Sequence, residues 1–332
     1  MQKFLVIQTA FIGDVVLSTA IAEKLAKYFP GAQIDYLVRK GNEKLLRHNP
    51  YIFEVITWDK KKNKKKNLLK ILSQVRKTRY DKVINLQRYF STGFLTAFSG
   101  AKEKVGFKSN PLSFLFDRKI IHTMGNGRHE VERNNDLIEH FTDKEFTRPR
   151  IYPSAGDHET IKGLLGYKFV TMTPSSVWFT KKYPEEKWVE LMDSIDPEMN
   201  IYLLGGPDNV QECIRLASVS THPGITVLAG KLGFLQSAAL MRHAVMNYTN
   251  DSAPLHFASA VNAPVTAIFC STIPGFGYTP LSDRSFIIET RQPVDCRPCG
   301  THGYKKCPLG HFNCARTIQN QQLLETLYAD RP

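Results

Sequence analysis

The sequence predicts an α/β protein built from two doubly wound units. Two observations carry that expectation. Short apolar runs alternate with segments of helical period, the signature of parallel strands covered on both faces. The alternation also starts twice, at Lys3 and again at Phe169, within 332 residues, a length that suits one or two domains.

The elements follow in order. Lys3 to Gln8 is a short apolar run and reads as a buried strand. A tight passage, Thr9 to Asp14, leads to Val15 to Tyr28, whose apolar residues recur at helical spacing until Pro30-Gly31 stops them. Strands are expected at Ile34 to Val38, Val55 to Trp58 and Lys82 to Leu86, with a helix at Asn67 to Thr78. The second series has strands at Phe169 to Thr173, Asn200 to Leu204, Thr226 to Leu228, Ala244 to Tyr248, Val265 to Phe269 and Ser285 to Glu289. Its helices fall at Glu185 to Ile195, Asn209 to Val219, Phe234 to Met241, Leu255 to Ala260 and Thr317 to Tyr328. Residues 150–165 read as the connection. Two such units are expected to face a central cleft at the carboxyl ends of their strands, where ligands of α/β sheets bind.

Composition narrows the function. Hydrophobic residues make up 42% and charged residues 23% of the chain, which suits a globular protein with a full core. No run of about 18 apolar residues occurs, so a spanning helix is not expected. Met1 to Val6 enters an apolar strand with no signal-peptide pattern, so a cytoplasmic location is expected. The net charge of +13 favours polyanionic partners: nucleic acid, anionic lipid headgroups or phosphorylated glycans. No helix-turn-helix or RNP-type aromatic motif supports nucleic acid. Neither half contains G-x-G-x-x-G or G-x-x-x-x-G-K-[ST], which argues against dinucleotide oxidoreductases and P-loop NTPases.

Several segments can hold an anion. Asn250-Asp251-Ser252-Ala253-Pro254-Leu255-His256 follows a strand and opens a helix. Asp251 or Ser252 can cap it, and Pro254 suits a first turn. Free backbone N–H groups there would meet a phosphate or diphosphate; the plainer alternative is a cap with no ligand. Thr173-Pro174-Ser175-Ser176 supplies hydroxyls after a strand, and Lys181 a compact charge. Lys182 reads as solvent-exposed. Leu204-Gly205-Gly206-Pro207-Asp208 ends a strand in a glycine turn, where Asp208 could accept from a ribose hydroxyl or the turn could be a turn only.

These segments resemble the heptosyltransferase family, glycosyltransferase family nine. The likeness is carried by G-D-V-V-L-S-T at Gly13 to Thr19, T-K-K-Y-P at Thr180 to Pro184, L-G-G-P at Leu204 to Pro207 and N-D-S-A-P-L-H at Asn250 to His256. V-E-R-N at Val131 to Asn134 and a terminal cysteine cluster add to it, and the match runs from about residue 3 to residue 317. The resemblance implies a GT-B fold of two Rossmann-like domains. It implies inverting transfer from a nucleotide-diphosphate sugar, typically ADP-heptose, to an acidic lipopolysaccharide inner-core or lipid-linked glycan acceptor. Lys181 matches the diphosphate-contacting lysine, Ser252 and Ala253 the turn that holds the diphosphate, and Asp251 the acidic residue beside it. With Thr173, Ser175, Asp208 and His256 they form the expected donor set. The family usually has glycine where Ala253 stands and tryptophan where Tyr183 stands. These departures bear on the sugar and base more than on the fold.

Asp14 follows the first strand and matches the family's catalytic aspartate; by itself it could equally be a helix N-cap. Inverting transfer needs one base for the acceptor hydroxyl. The diphosphate leaves once its charge is neutralised, so the second carboxylate of a glycosidase is not needed and no cofactor is required. The run Lys60 to Lys66 is ordinarily a solvated loop. It could also hold glycolipid phosphates or rest on an anionic inner membrane. Lys64, Arg88, Lys108, Arg128 and Arg133 are the acceptor candidates; Arg133 could instead be structural, bridging the domains. Cys296, Cys299, Cys307 and Cys314 could close a structural zinc site or stay reduced in a loop. Cys213 and Cys270 read as core. The expected domains are 1–155 for the acceptor, 156–316 for the donor, and 317–332 as a helix crossing back to the first domain. Two rival classes remain: a GT-B-fold sugar-nucleotide epimerase, and a non-catalytic basic glycan-binding protein.

Overall fold

The computed structural model describes residues 1–61 and 63–329. Lys62 of the lysine run and residues 330–332 of the terminal segment lie outside the described residues. The chain forms two compact units, Met1–Tyr152 and Pro153–Pro332.

The first unit contains β1 (Lys3–Gln8), α1 (Ile12–Tyr28), β2 (Gln33–Arg39), β3 (Glu54–Trp58), α2 (Lys64–Thr78), β4 (Lys82–Asn85), α3 (Phe90–Ala97), β5 (Glu103–Phe107), β6 (Arg118–Ile120) and α4 (Glu130–Asn135). Its strands are all parallel, in the order β3-β2-β1-β4-β5-β6. Phe4 to Ile7 of β1 are fully buried because a central parallel strand has neither face in water. α1 is buried along most of its length for the same reason. Its Ser18 and Thr19 hydroxyls turn back to the Val15 and Val16 carbonyls, each at 2.7 Å. α2 lies at the surface and is two-faced: Ile71 and Val75 enter the core around Trp58 and Leu5, while its lysines stay out.

The second unit contains α5 (Ala155–Ile161), β7 (Phe169–Thr173), α6 (Glu185–Asp193), β8 (Asn200–Leu203), α7 (Val210–Val219), β9 (Ile225–Val227), α8 (Phe234–His243), β10 (Met246–Asn250), α9 (Ala253–Ala260), β11 (Val265–Phe269), β12 (Ser285–Glu289), α10 (Asn313–Arg316) and α11 (Asn320–Tyr328). Its parallel order is β12-β11-β10-β7-β8-β9. Counted from the start of each unit, both sheets run 3-2-1-4-5-6, the Rossmann order. The crevice of such a sheet lies where the order reverses, between its first and fourth strands. These are β1 and β4 in one unit and β7 and β10 in the other.

Four features depart from the sequence reading. β5, β6, α3, α4 and α10 were not expected: Glu-Lys-Val-Gly-Phe and Arg-Lys-Ile lack a buried-strand pattern, α3 carries a glycine, and α4 and α10 are too short to show a period. The connection at 150–165 contains α5, whose Ser154 and Asp157 form a reciprocal cap. The unit boundary falls a few residues before 155. Finally, the expectation took residues 317–332 across to the first unit, whereas α11 is built into the second. Leu323 and Leu327 are fully buried in its core. Tyr183 Oη meets Asn320 Oδ1 at 2.7 Å, and Arg284 donates to the carbonyls of Thr326, Leu327 and Ala329. The apolar face of α11 therefore fixes its place. Among the described residues, no helix is long and apolar enough to cross a membrane.

Candidate active site

In the second unit the expected phosphate elements meet at the β7–β10 switch point. β10 ends at Asn250, and Ser252 occupies the N-cap position of α9 in an extended conformation. Its hydroxyl makes no capping bond; it reaches the Asn250 carbonyl at a long 3.4 Å. Ala253 begins the helix and Pro254 stands in its first turn. Such a helix start carries amide donors and positive potential. Lys181 arrives from the loop after β7, and its ammonium lies 2.6 Å from the Asp251 carboxylate. Both side chains are largely buried, at 15% and 8% exposure, so the pair is held in place rather than sampling solvent. Thr272 donates to the same Asp251 oxygen at 2.6 Å. Asp251 is thus an anchor for the lysine; a carboxylate facing a diphosphate would repel it. His256 is buried on α9, with Tyr278 edge-on at 6.4 Å.

Other expected residues behave differently. Thr173 ends β7 with a buried hydroxyl that has no protein partner. Ser175 was expected to donate to phosphate, but its hydroxyl donates to Glu212 at 2.8 Å. Glu212 also pairs with Lys182 at 2.8 Å, so Lys182 is not merely solvated and Ser175 is part of a structural triad. Asp208 is exposed in a short turn after β8.

In the first unit Asp14 is the third residue of α1, not its cap. Phe11 holds the N-cap position and offers no side-chain bond. A carboxylate in the first helical turn is favoured by the dipole, and Asp14 is partly exposed beyond the C-terminal end of β1. Lys60 is not part of a solvated run. It sits over the Trp58 ring at 4.8 Å and donates to the Thr9 carbonyl and hydroxyl at 2.9 and 3.0 Å. Burial, with Arg39 and Lys64 nearby, lowers its pKa to about 8. It ties down the passage from β1 to α1. Lys64, Arg88 and Lys108 are exposed beyond the C-terminal ends of β3, β4 and β5. Arg133 is not available to an acceptor: it is 1% exposed and bonded to Glu130 at 2.8 Å, beside His122. That buried group lies within the first unit, so Arg133 is structural there. A cavity of about 710 Å³ between β6, α4 and residues 139–147 is lined by Arg128 but by none of Asp14, Lys64, Arg88 and Lys108.

The four cysteines of the terminal loop are free thiols. Cys296 Sγ approaches His311 Nε2 at 3.8 Å, and the Cys299 thiol turns to the Cys296 carbonyl at 3.6 Å. Among the described residues, no group of three or more His, Cys, Asp or Glu side chains is arranged to hold a metal ion. Burial raises the Cys299 thiol and pushes that of Cys314 up to about 12. Cys213 and Cys270 are fully buried, as expected.

A family model described as glycosyltransferase family 9 (heptosyltransferase) matches residues 68–305. The chain belongs to this family. As a family-9 chain it is a glycosyltransferase. It is 27% identical over 277 residues to lipopolysaccharide heptosyltransferase 3 of Escherichia coli, covering 79% of this chain and 82% of that protein. The solved E. coli ADP-heptose lps heptosyltransferase II superposes with a TM-score of 0.81 at 22% identity, covering 99% and 98% of the two chains. The E. coli heptosyltransferase WaaC, solved with ADP-2-deoxy-2-fluoro heptose, gives 0.76 at 18% identity over 99% and 100%. The transferase has the GT-B fold of these neighbours. The sequence motifs contain Lys181, Asp251 and the start of α9. They also contain Asn250 and Thr180 but gave neither a role of its own; the buried amide of Asn250 accepts from the Tyr183 N–H at 2.9 Å and donates to the Pro174 carbonyl at 2.7 Å. Thr272 lies in no quoted motif.

Proposed function

We propose that this family-9 glycosyltransferase moves heptose from ADP-heptose to an acidic lipopolysaccharide inner-core acceptor, with inversion at the anomeric carbon. The observation that carries the donor half is the Lys181–Asp251 pair set at the start of α9. The names of the related proteins support the sugar and the acceptor class. In this reading the acceptor oxygen forms its bond to the anomeric carbon as the bond to the phosphate oxygen breaks. Asp14 takes the hydroxyl proton. The departing diphosphate keeps the electron pair, and Lys181 with the first amides of α9, around Ser252 and Ala253, stabilises its charge. Thr173 supplies a further hydroxyl. The reaction so written needs no metal and no cofactor.

Lys64, Arg88 and Lys108 are proposed to meet the acidic groups of the acceptor. Where that acceptor is embedded in an anionic leaflet, each exposed cation near the surface contributes about 1 kcal/mol to peripheral attachment. The reaction then takes place on the cytoplasmic side. The test is donor turnover with and without glycolipid, using wild type and Asp14→Asn. Transfer should require the glycolipid, and Asp14→Asn should lower kcat by about 10²–10⁴-fold with the fold intact. Turnover without any acceptor points to an epimerase, and an unchanged kcat removes Asp14 from the chemistry. A thermal-shift screen of ADP-, GDP- and UDP-sugars checks the base. Donor at 100 times its Kd should add about 2.7 kcal/mol of stability.

A further inference from the structure

The cysteine-bearing loop has no part in the reaction as written, yet its backbone is packed against the residues that carry the donor lysine. Thr180 precedes Lys181, is 1% exposed, and has a fully used hydroxyl. Its Oγ1 accepts from the Tyr304 N–H at 2.7 Å and from the Ser271 hydroxyl at 3.0 Å, and donates to the Tyr304 carbonyl at 3.4 Å. The Thr180 N–H donates to that same carbonyl at 3.1 Å. A hydroxyl has one proton and two lone pairs, so nothing is left over.

Gly303 shows how close the approach is. Its φ is +77°, and a Cβ built there would lie 2.8 Å from Thr180 Oγ1, 3.1 Å from Lys181 Cγ and 3.3 Å from Ser271 Oγ. The loop therefore touches the stem of the lysine itself. It also reaches the other half of the ion pair. The Arg297 guanidinium donates to the carbonyls of Thr272 and Phe269, and the Cys299 N–H to the Ser271 carbonyl at 2.9 Å. Thr272 in turn holds Asp251. One loop thus backs both Lys181 and its counter-ion.

We infer that Thr180, gripped by Gly303 and Tyr304, is a positioning residue that fixes the Lys181 ammonium for the donor diphosphate. The inference rests on the assignment of Lys181 to the donor. It gives the loop a task that its backbone performs: holding a turn rigid against a charged side chain. Threonine is needed for its hydroxyl. Valine keeps the shape and removes every bond Oγ1 makes, whereas serine keeps the oxygen.

The test is a double-mutant cycle on the full-length enzyme, with ADP affinity read by calorimetry and donor and acceptor KM read by ADP release. Thr180→Val should weaken ADP binding and raise donor KM by about tenfold while leaving acceptor KM within about twofold. Thr180→Ser should recover most of the loss. In a Lys181→Met background, Thr180→Val should change ADP affinity by less than about twofold, because the lysine it positions is gone. Equal losses for donor and acceptor, absence of rescue by serine, or full additivity with Lys181→Met would each overturn the inference. If Lys181→Met alone leaves ADP affinity unchanged, the donor assignment of the lysine falls, and this inference falls with it. If Lys181→Met weakens ADP binding and Thr180→Val does not, only the positioning role falls. Should Thr180→Val fail to fold, Gly303→Ala is read by the same criteria, since its methyl pushes directly on Thr180 and on the lysine stem.

Discussion

Glu130 shows what a buried charge does in this protein. Burial works to raise its pKa, but His122 and Arg133 outweigh it and hold the carboxylate below its ordinary range. A depressed carboxylate pKa stabilises the fold fully above the unfolded value of about 4.3, and that stability is lost as pH falls through the folded value. The unfolding midpoint should therefore decline as pH drops below about 4. In Glu130→Gln that part of the acid dependence should disappear. The same variant removes the carboxylate that neutralises buried Arg133, which keeps its bond to the Arg128 carbonyl, at a cost of about 3–5 kcal/mol at neutral pH. Urea unfolding at pH 7 and pH 3.5 measures both; a loss under about 1 kcal/mol would show that Arg133 finds another partner. Arg133 also marks where sequence reading stops. V-E-R-N gave the arginine but not its burial, because that depends on α4 packing against α1 and on His122, from outside the helix, meeting Glu130. Lys181 and Asp251 were legible because each stands beside a turn motif. The bonds made by Asn250, Thr180 and Thr272 were not, although the first two stand in quoted motifs: their partners lie far along the chain.

At the scale of elements, two helix starts break the usual rules. Ser252 holds the N-cap of α9 without making a capping bond. A capping serine normally contributes about 1 kcal/mol; here Ser252→Ala should cost less than about 0.5 kcal/mol and still weaken ADP binding. A large stability loss with unchanged ADP affinity would contradict a ligand role for this turn. α2 opens on three exposed lysines, Lys64, Lys65 and Lys66, with no acidic residue in its first turn. Cations are disfavoured at that end of the dipole. Lys64→Glu should stabilise the fold by about 0.3–1 kcal/mol and raise the KM for an acidic acceptor. Improved stability with unchanged acceptor KM would remove Lys64 from acceptor binding. Helix α2 itself was legible from its period, apart from its lysine-rich first turn. β6 was not, because three residues on a sheet edge carry too little pattern.

For the whole molecule, the repetition of one strand order in two units was legible as a pattern that starts twice. The destination of α11 was not. An amphipathic terminal helix states that it must bury one face, and only the packed structure says against which partner. Leu323 and Leu327 place it in the core of the second unit, so Leu323→Ala should cost about 2–5 kcal/mol. Denaturant unfolding of the full chain checks this; a loss below about 1 kcal/mol would mean that the helix docks only loosely.

All strands of each sheet run in one direction, so every strand of a unit delivers its following loop to the same rim. Lys181, Asp251 and Ser252 stand on one such rim, and Asp14, Lys64, Arg88 and Lys108 on the other. Substrate preference can drift by rewriting those segments while the interior sequence stays under a separate constraint. A chimaera that exchanges only rim segments with a relative of different sugar preference should keep its melting behaviour and inherit the new substrate.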